Sequence, residues 1–133
     1  MRHALLLAAL LLIVLPASAQ EAERETGFMM MNQHACPGDG FEGMMDVFET
    51  KTGPILNELR DEDMIQDWGL LTHAWGDEYN FNFYMIADNH RAWLDAWGQM
   101  VSRMNDRHEG WGEMVSNYCT FHKDNLYTHH RWE

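Results

Sequence analysis

The order of apolar patterns along the chain predicts an α+β domain with a β-α-β-β-α-β path. It implies a four-stranded antiparallel sheet with helices on one face. Three observations carry this. Ile65–Ala87 (IQDWGLLTHAWGDEYNFNFYMIA) reads as two strands joined at a tight turn. Two stripes at helical spacing flank it: Phe41, Met44, Met45, Phe48, Ile55, Leu56 and Leu59 before, and Trp93, Ala96, Trp97, Met100, Val101 and Met104 after. Strand-like segments, Thr26–Cys36 and Asn125–His130, stand at either end.

The elements follow in chain order. Residues 1–19 have the form of a secretory signal peptide. Arg2 and His3 make a polar start, Ala4–Leu15 an apolar run too short for a stable bilayer span, and Ala17-Ser18-Ala19 a cleavage site. The mature chain is therefore expected to begin at Gln20, to form one domain over 20–133, and to be exported to a periplasmic or extracellular location. Gln20–Glu25 reads as a polar tail. Thr26–Cys36 is the first strand, ended by Pro37-Gly38-Asp39-Gly40. The first helix should kink at Gly53-Pro54, because Pro54 lacks an N–H and crowds the preceding turn. Arg60-Asp61-Glu62-Asp63 is a solvated exit into the hairpin. Asp88 is placed as the N-cap of the second helix, and Asn105-Asp106-Arg107-His108 as its end. Gly110–Tyr118 reads as a short helix leading to Cys119, and Asn125–His130 as the last strand.

The hairpin has a definite register if Gly76-Asp77 is a two-residue loop. His73 then pairs with Asn80, Leu71 with Asn82, Gly69 with Tyr84, Thr72 with Phe81, Leu70 with Phe83 and Trp68 with Met85. Alternation puts Trp68, Leu70, Thr72, Phe81, Phe83 and Met85 on a face suited to packing under helices. Gly69, Leu71, His73, Asn80, Asn82 and Tyr84 take the other. That second face carries an imidazole, amides and a phenol instead of the usual Lys, Glu and Ser of a wet sheet. It is read either as the lining of a pocket or interface, or as a solvated face.

The helix with a central proline (KTGPILNELRDEDMIQDWGLL), the hairpin LLTHAWGDEYNFNFYM and the helix DNHRAWLDAWGQM together resemble the dimeric α/β-barrel superfamily. That superfamily has a ferredoxin-like fold and includes antibiotic-biosynthesis monooxygenase-like and NIPSNAP-like proteins. The resemblance spans about Met29–Met104 and Asn125–His130. It implies a homodimer whose sheets face each other, and a pocket in each protomer between sheet and helices. Known members include cofactor-independent oxygenases, haem enzymes and proteins of unknown role. The segment Gly110–Cys119 and the cysteine pair depart from the usual pattern.

Charge and composition narrow the functions. The chain carries a formal charge of −12, and loss of residues 1–19 removes Arg2 but no acid. Such a chain repels nucleic acid and anionic membranes. The acidity reads as solubility or as capture of a cationic ligand. No apolar run beyond the leader is long enough to span a membrane. Ser102 and Ser116 are the serines of the mature chain, neither in a nucleophile elbow. No Gly-rich phosphate loop is present.

Three constellations remain. His73 and Asn80 are the candidate catalytic pair, a neutral imidazole as base and an amide for a developing oxyanion. Leu71, Asn82, Tyr84, Trp68 and Trp75 line the ligand, with Trp93 and Trp97 as further aromatic walls. The bland alternative makes His73 structural and the tryptophans core. Cys36 and Cys119, an even pair in an oxidising compartment, read as a disulfide. With His34 and His122 the same cysteines make an alternative tetrahedral zinc set. Met29, Met30, Met31, Met44 and Met45 with His34 are a copper alternative, set against core packing, and His129-His130 a metal or haem alternative. No cofactor is expected. The function these readings support is binding of a small, partly aromatic molecule in a pocket lined by the 65–87 hairpin. Cofactor-independent oxygenase-like chemistry is implied by the resemblance. A non-catalytic interaction dimer and a metal or haem protein stay open.

Overall fold

A computed structural model describes residues 26–73 and 78–130. The leader 1–19, the tail Gln20–Glu25, and Trp75 with the Gly76-Asp77 turn lie outside the described residues. Strand β1 (Thr26–Ala35) leads into α1 (Asp39–Val47), a π-helical turn (Phe48–Thr52) and α2 (Gly53–Asp61). Strands β2 (Asp67–Thr72) and β3 (Phe81–Ala87), helices α3 (His90–Arg107) and α4 (Trp111–Tyr118), and strand β4 (Phe121–His130) follow. The sheet order is β2-β3-β1-β4, with every neighbouring pair antiparallel. This is the expected ferredoxin-like split β-α-β arrangement. Among the described residues no helix is long and apolar enough to cross a membrane.

The hairpin has the expected register. Trp68 stands opposite Met85, Leu70 opposite Phe83, Leu71 opposite Asn82 and Thr72 opposite Phe81. The His73 N–H donates to the Asn80 carbonyl at 3.2 Å. Alternation carries the division across the sheet. The inner face presents Met30, Phe81, Phe83 and Met85, all buried under the helices with Met44, Leu56, Leu59 and Met104. Burial of such side chains contributes about 1.5–3 kcal/mol each.

The first helix does not simply kink at Pro54. It widens before the proline into a π turn, where the Gly53 N–H donates to the Phe48 carbonyl five residues back. The wider turn accommodates the ring and the missing donor without ending the helix. Gly53 has no Cβ because one there would stand 2.8 Å from the Phe48 carbonyl and 3.1 Å from the Trp68 ring.

Three boundaries differ from expectation. Asn89, not Asp88, caps α3: its Oδ1 accepts from Arg91 N and Ala92 N at 3.0 Å each, while Asp88 accepts from Gln66. The same helix runs on to Arg107. There Arg107 pairs with Glu58 of α2 and Arg103 with Glu62 just after it, which holds the last turn in register. The last strand starts at Phe121 instead of Asn125, because its backbone pairs with β1 from Ala35 opposite Phe121 to Thr26 opposite His130. Polar side chains on such an edge strand face solvent and hide the strand pattern.

A candidate ligand cavity between sheet and helices

Helix α4 is the departure from a plain two-helix layer, and it positions the site. It docks on α1 through two glycines. A Cβ on Gly40 would collide with the Tyr118 carbonyl, and one on Gly43 with the Tyr118 ring. Cys119, directly after α4, is bonded to Cys36 at the end of β1. The Thr120 N–H donates to the Ala35 carbonyl at 2.9 Å, where the β1–β4 ladder begins. The helix therefore stands as a wall beside β1 and β4 with no fully buried residue of its own.

Between this wall, the π turn, α3 and the inner face of β1 and β4 lies a cavity of about 420 Å³. That volume suits a drug-sized ligand. Its walls are Met44, Phe48, Phe83, Trp97, Met100, Trp111 and Val115, with Thr52, Ser116 and Thr120 as hydroxyls and Cys119 at one end. The indoles are held in place. Trp97 stacks on the buried Trp93 at 5.7 Å between ring centroids, and Trp111 Nε1 donates to Asn105 Oδ1 at 2.9 Å.

The polar corner comes from two rows of the β1–β4 ladder, Asn32 opposite Asp124 and His34 opposite His122. Asn32 Nδ2 donates to Asp124 Oδ1, and Asn32 Oδ1 meets His34 Nε2. A carboxylate only accepts, so it sets the Asn32 amide with its oxygen toward His34. An amide oxygen only accepts too, so His34 Nε2 carries the proton and Nδ1 is its acceptor. The imidazole is 6% exposed. Its pKa is lowered from 6.5 to about 4, first by burial and then by the neighbouring His122, with Asp124 pulling the other way. The His122 ring stacks on it at 5.8 Å. His34 is thus an uncharged, oriented acceptor at neutral pH.

The residues expected from sequence are distributed differently. Of the hairpin, Phe83 from the inner face lines the cavity, and Leu71, His73, Asn80, Asn82, Tyr84 and Trp68 do not. This cavity lies on the inner face of the sheet, beneath the helices, and the hairpin's polar residues stand on the opposite face. The Asn80 amide is engaged with the Cys36 backbone: its Oδ1 accepts from Cys36 N at 2.9 Å and its Nδ2 donates to Cys36 O at 2.7 Å. Tyr84 lies over Gly69. Its pKa is raised by burial, then by the Asp67 carboxylate, which also takes its hydrogen bond. Asn82 Nδ2 donates to the Leu71 carbonyl at 3.2 Å, and its buried Oδ1 has no partner among the described residues. Trp68 is on the inner face, donating to Asn57 Oδ1 at 3.1 Å. Of the expected aromatic walls, Trp97 lines the cavity and Trp93 backs it.

The disulfide expected for Cys36 and Cys119 is present. It consumes both sulfurs, so the zinc set of His34, Cys36, Cys119 and His122 has no thiolates. His34 and His122 do come together, as cross-strand neighbours. Met30 and Met44 are core, whereas Met29 and Met31 point to the other face of β1, so the methionines do not converge. His129 and His130 are consecutive strand residues and point to opposite faces. Asn32, Asp124 and Trp111 are site residues that sequence reasoning missed. A strand read from Phe121 would have put His122 and Asp124 on the face of Asn32 and His34.

No protein-family model matches the sequence, and no curated protein matches it either. Solved structures do. A NIPSNAP family protein of unknown function from Agrobacterium tumefaciens matches with a TM-score of 0.63 at 7% identity, over 84% of this chain and 94% of its own. A dimeric ferredoxin-like protein from an uncultured marine organism matches with a TM-score of 0.61 at 8% identity, over 82% and 90%. A mutant of SnoaB, a cofactor-independent oxygenase from Streptomyces nogalater, matches with a TM-score of 0.51 at 12% identity, over 76% and 90%. These are the groups that the sequence resemblance named, and at such identities the likeness establishes the fold.

Proposed function

We propose that the chain binds a small, partly aromatic molecule in the sheet–helix cavity, with His34 as the uncharged acceptor that fixes its polar end. The carrying observation is the buried imidazole whose tautomer is set by Asn32 and Asp124. Indoles and phenyl rings supply the apolar contact, and the polar groups converge at one corner, which is how small-molecule sites are built. With a pKa of about 4, His34 is a weak base. Any turnover would require a substrate with an acidic O–H or C–H, and Asp124 would stabilise the imidazolium that forms. Oxygenase-like chemistry without a cofactor would start from such a proton removal. The test is calorimetric titration with planar aromatic alcohols and amines against paired variants. His34→Ala is expected to abolish binding and His73→Ala to leave it intact. The reverse pattern returns the site to the hairpin's outer face.

A second reading concerns assembly and is compatible with the first. The outer sheet face carries Met29 and Met31, half-buried, with Leu71 and Tyr127 exposed. An apolar band of this kind suits a homodimer through the sheet, and dimeric proteins stand among the solved structures of this fold. Light scattering is expected to show a dimer that Leu71→Asp dissociates; a monomer at micromolar concentration contradicts it. Export is supported by the leader pattern and by the disulfide. A mature chain that begins elsewhere than Gln20, or stays in the cytoplasm, contradicts it.

A further inference from the structure

The charges at the cavity are one-sided. Among the described residues, Asp124 lines it and no lysine or arginine does. The neighbouring cation Lys123 stands opposite Gln33 on the outer face, so its side chain leaves in the other direction. Arg103 and Arg107 are committed to Glu58 and Glu62, and Lys51 lies beside Asp46 at 3.9 Å. The other walls include four aromatic side chains, Trp97, Trp111, Phe48 and Phe83. Ring faces carry negative quadrupole charge and attract cations. Asp124 is itself exposed, at the open side of the cavity. One of its oxygens takes the Asn32 amide, and a carboxylate has room for further donors.

We propose that the cavity selects organic cations: a flat apolar or aromatic body lies between Trp97 and Trp111, and an ammonium group sits at the mouth against Asp124. This rests on the reading of the cavity as a ligand site and adds the charge class to it. The arrangement keeps the ammonium near water, so little desolvation opposes the contact. His34 stays uncharged and accepts a hydrogen bond without repelling the cation. An anionic ligand of the same shape meets one carboxylate and, among the described residues, no countercharge. The net charge of −12 adds long-range attraction for cations that salt screens.

The test uses three probes with the same ring and side-chain length: tryptamine as cation, tryptophol as neutral analogue and indole-propionate as anion. Calorimetry on the disulfide-bonded mature chain is expected to show tryptamine binding at least about tenfold more tightly than indole-propionate at low salt, with tryptophol between. Asp124→Asn keeps an oxygen that accepts from Asn32, so the His34 tautomer is retained, and the preference should shrink to within about threefold. Asp46→Asn, whose carboxylate does not line the cavity, should leave it. Equal binding of all three probes, tighter binding of the anion, or a preference that survives Asp124→Asn overturns the charge selection while the cavity remains a ligand site. Failure of all three to bind removes the ligand-site reading, and this inference with it.

Discussion

The two halves of the inner sheet face are built from the same alternation and end differently. Over β3 and β2 the face is solid. Phe81 and Phe83 meet Phe48 at 5.0 and 5.2 Å between ring centroids, and Met85, Ile55 and Leu56 close the remaining space. Over β4 and the Asn32–His34 end of β1 the face is hollow. Helix α3 packs on β3 and β1, and α4, tied down by Tyr118 and by the Cys36–Cys119 bond, supplies the wall on the other side. Filling follows where a helix stripe reaches; a cavity follows where a short helix stands off on a covalent staple. The polar side chains sit in the hollow half, where the row Asp124–Asn32 and the row His122–His34 replace the apolar rows of the solid half.

The largest expected effect is on the staple. Breaking a bond between residues separated by 83 positions should cost roughly 4–5 kcal/mol of unfolding free energy by the chain-entropy model. The pair Cys36→Ser with Cys119→Ser, followed by urea unfolding, measures it. The loss should be local as well, with amide exchange rising in α4 and β4 before β2 and β3. Uniform acceleration across the sheet would erase the distinction between the halves.

Truncations sharpen the contrast at a slightly smaller scale. Phe81, 0% exposed, sits in the solid half, and Phe81→Ala should cost about 3–5 kcal/mol in urea unfolding. Trp111 is a half-buried wall of the hollow half, so Trp111→Ala should cost only about 1–2 kcal/mol and abolish ligand binding. Equal costs would mean that the cavity collapses into ordinary core.

The solid half was legible in the sequence almost pair by pair. A Gly-Asp turn flanked by alternating aromatics admits one register that buries Phe81, Phe83 and Met85, and that register is the one found. The hollow half was not. Phe121–Asp124 (FHKD) mixes charge and imidazole on an exposed edge strand, where burial imposes no alternation, so the pattern marks a strand only from Asn125. His122 and Asp124 are hidden by that mixture, and the hairpin's outer face is the most visible polar surface. The π turn was equally hidden, because a Gly-Pro step signals a disturbance of the helix without saying whether it bends or widens.

The pH dependence of stability also belongs to the hollow half. The folded chain holds His34 at about 4 against an ordinary 6.5, so the unfolded chain takes up a proton that the folded chain refuses. The stabilisation is complete above about pH 6.5 and is lost as pH falls toward 4, by roughly 3 kcal/mol in all. Thermal melts of the native chain and of His34→Gln across that window should differ in slope. Parallel curves would place the titration elsewhere.

The most direct measurement is nitrogen-15 NMR of the His34 ring. The hydrogen-bonded chain from Asp124 through Asn32 predicts a neutral imidazole protonated at Nε2, with no titration between pH 8 and about pH 5. Its Nδ1 resonance should move when an aromatic ligand is added. An imidazole that titrates near 6.5, or carries its proton on Nδ1, would contradict the oriented acceptor on which the candidate site is built.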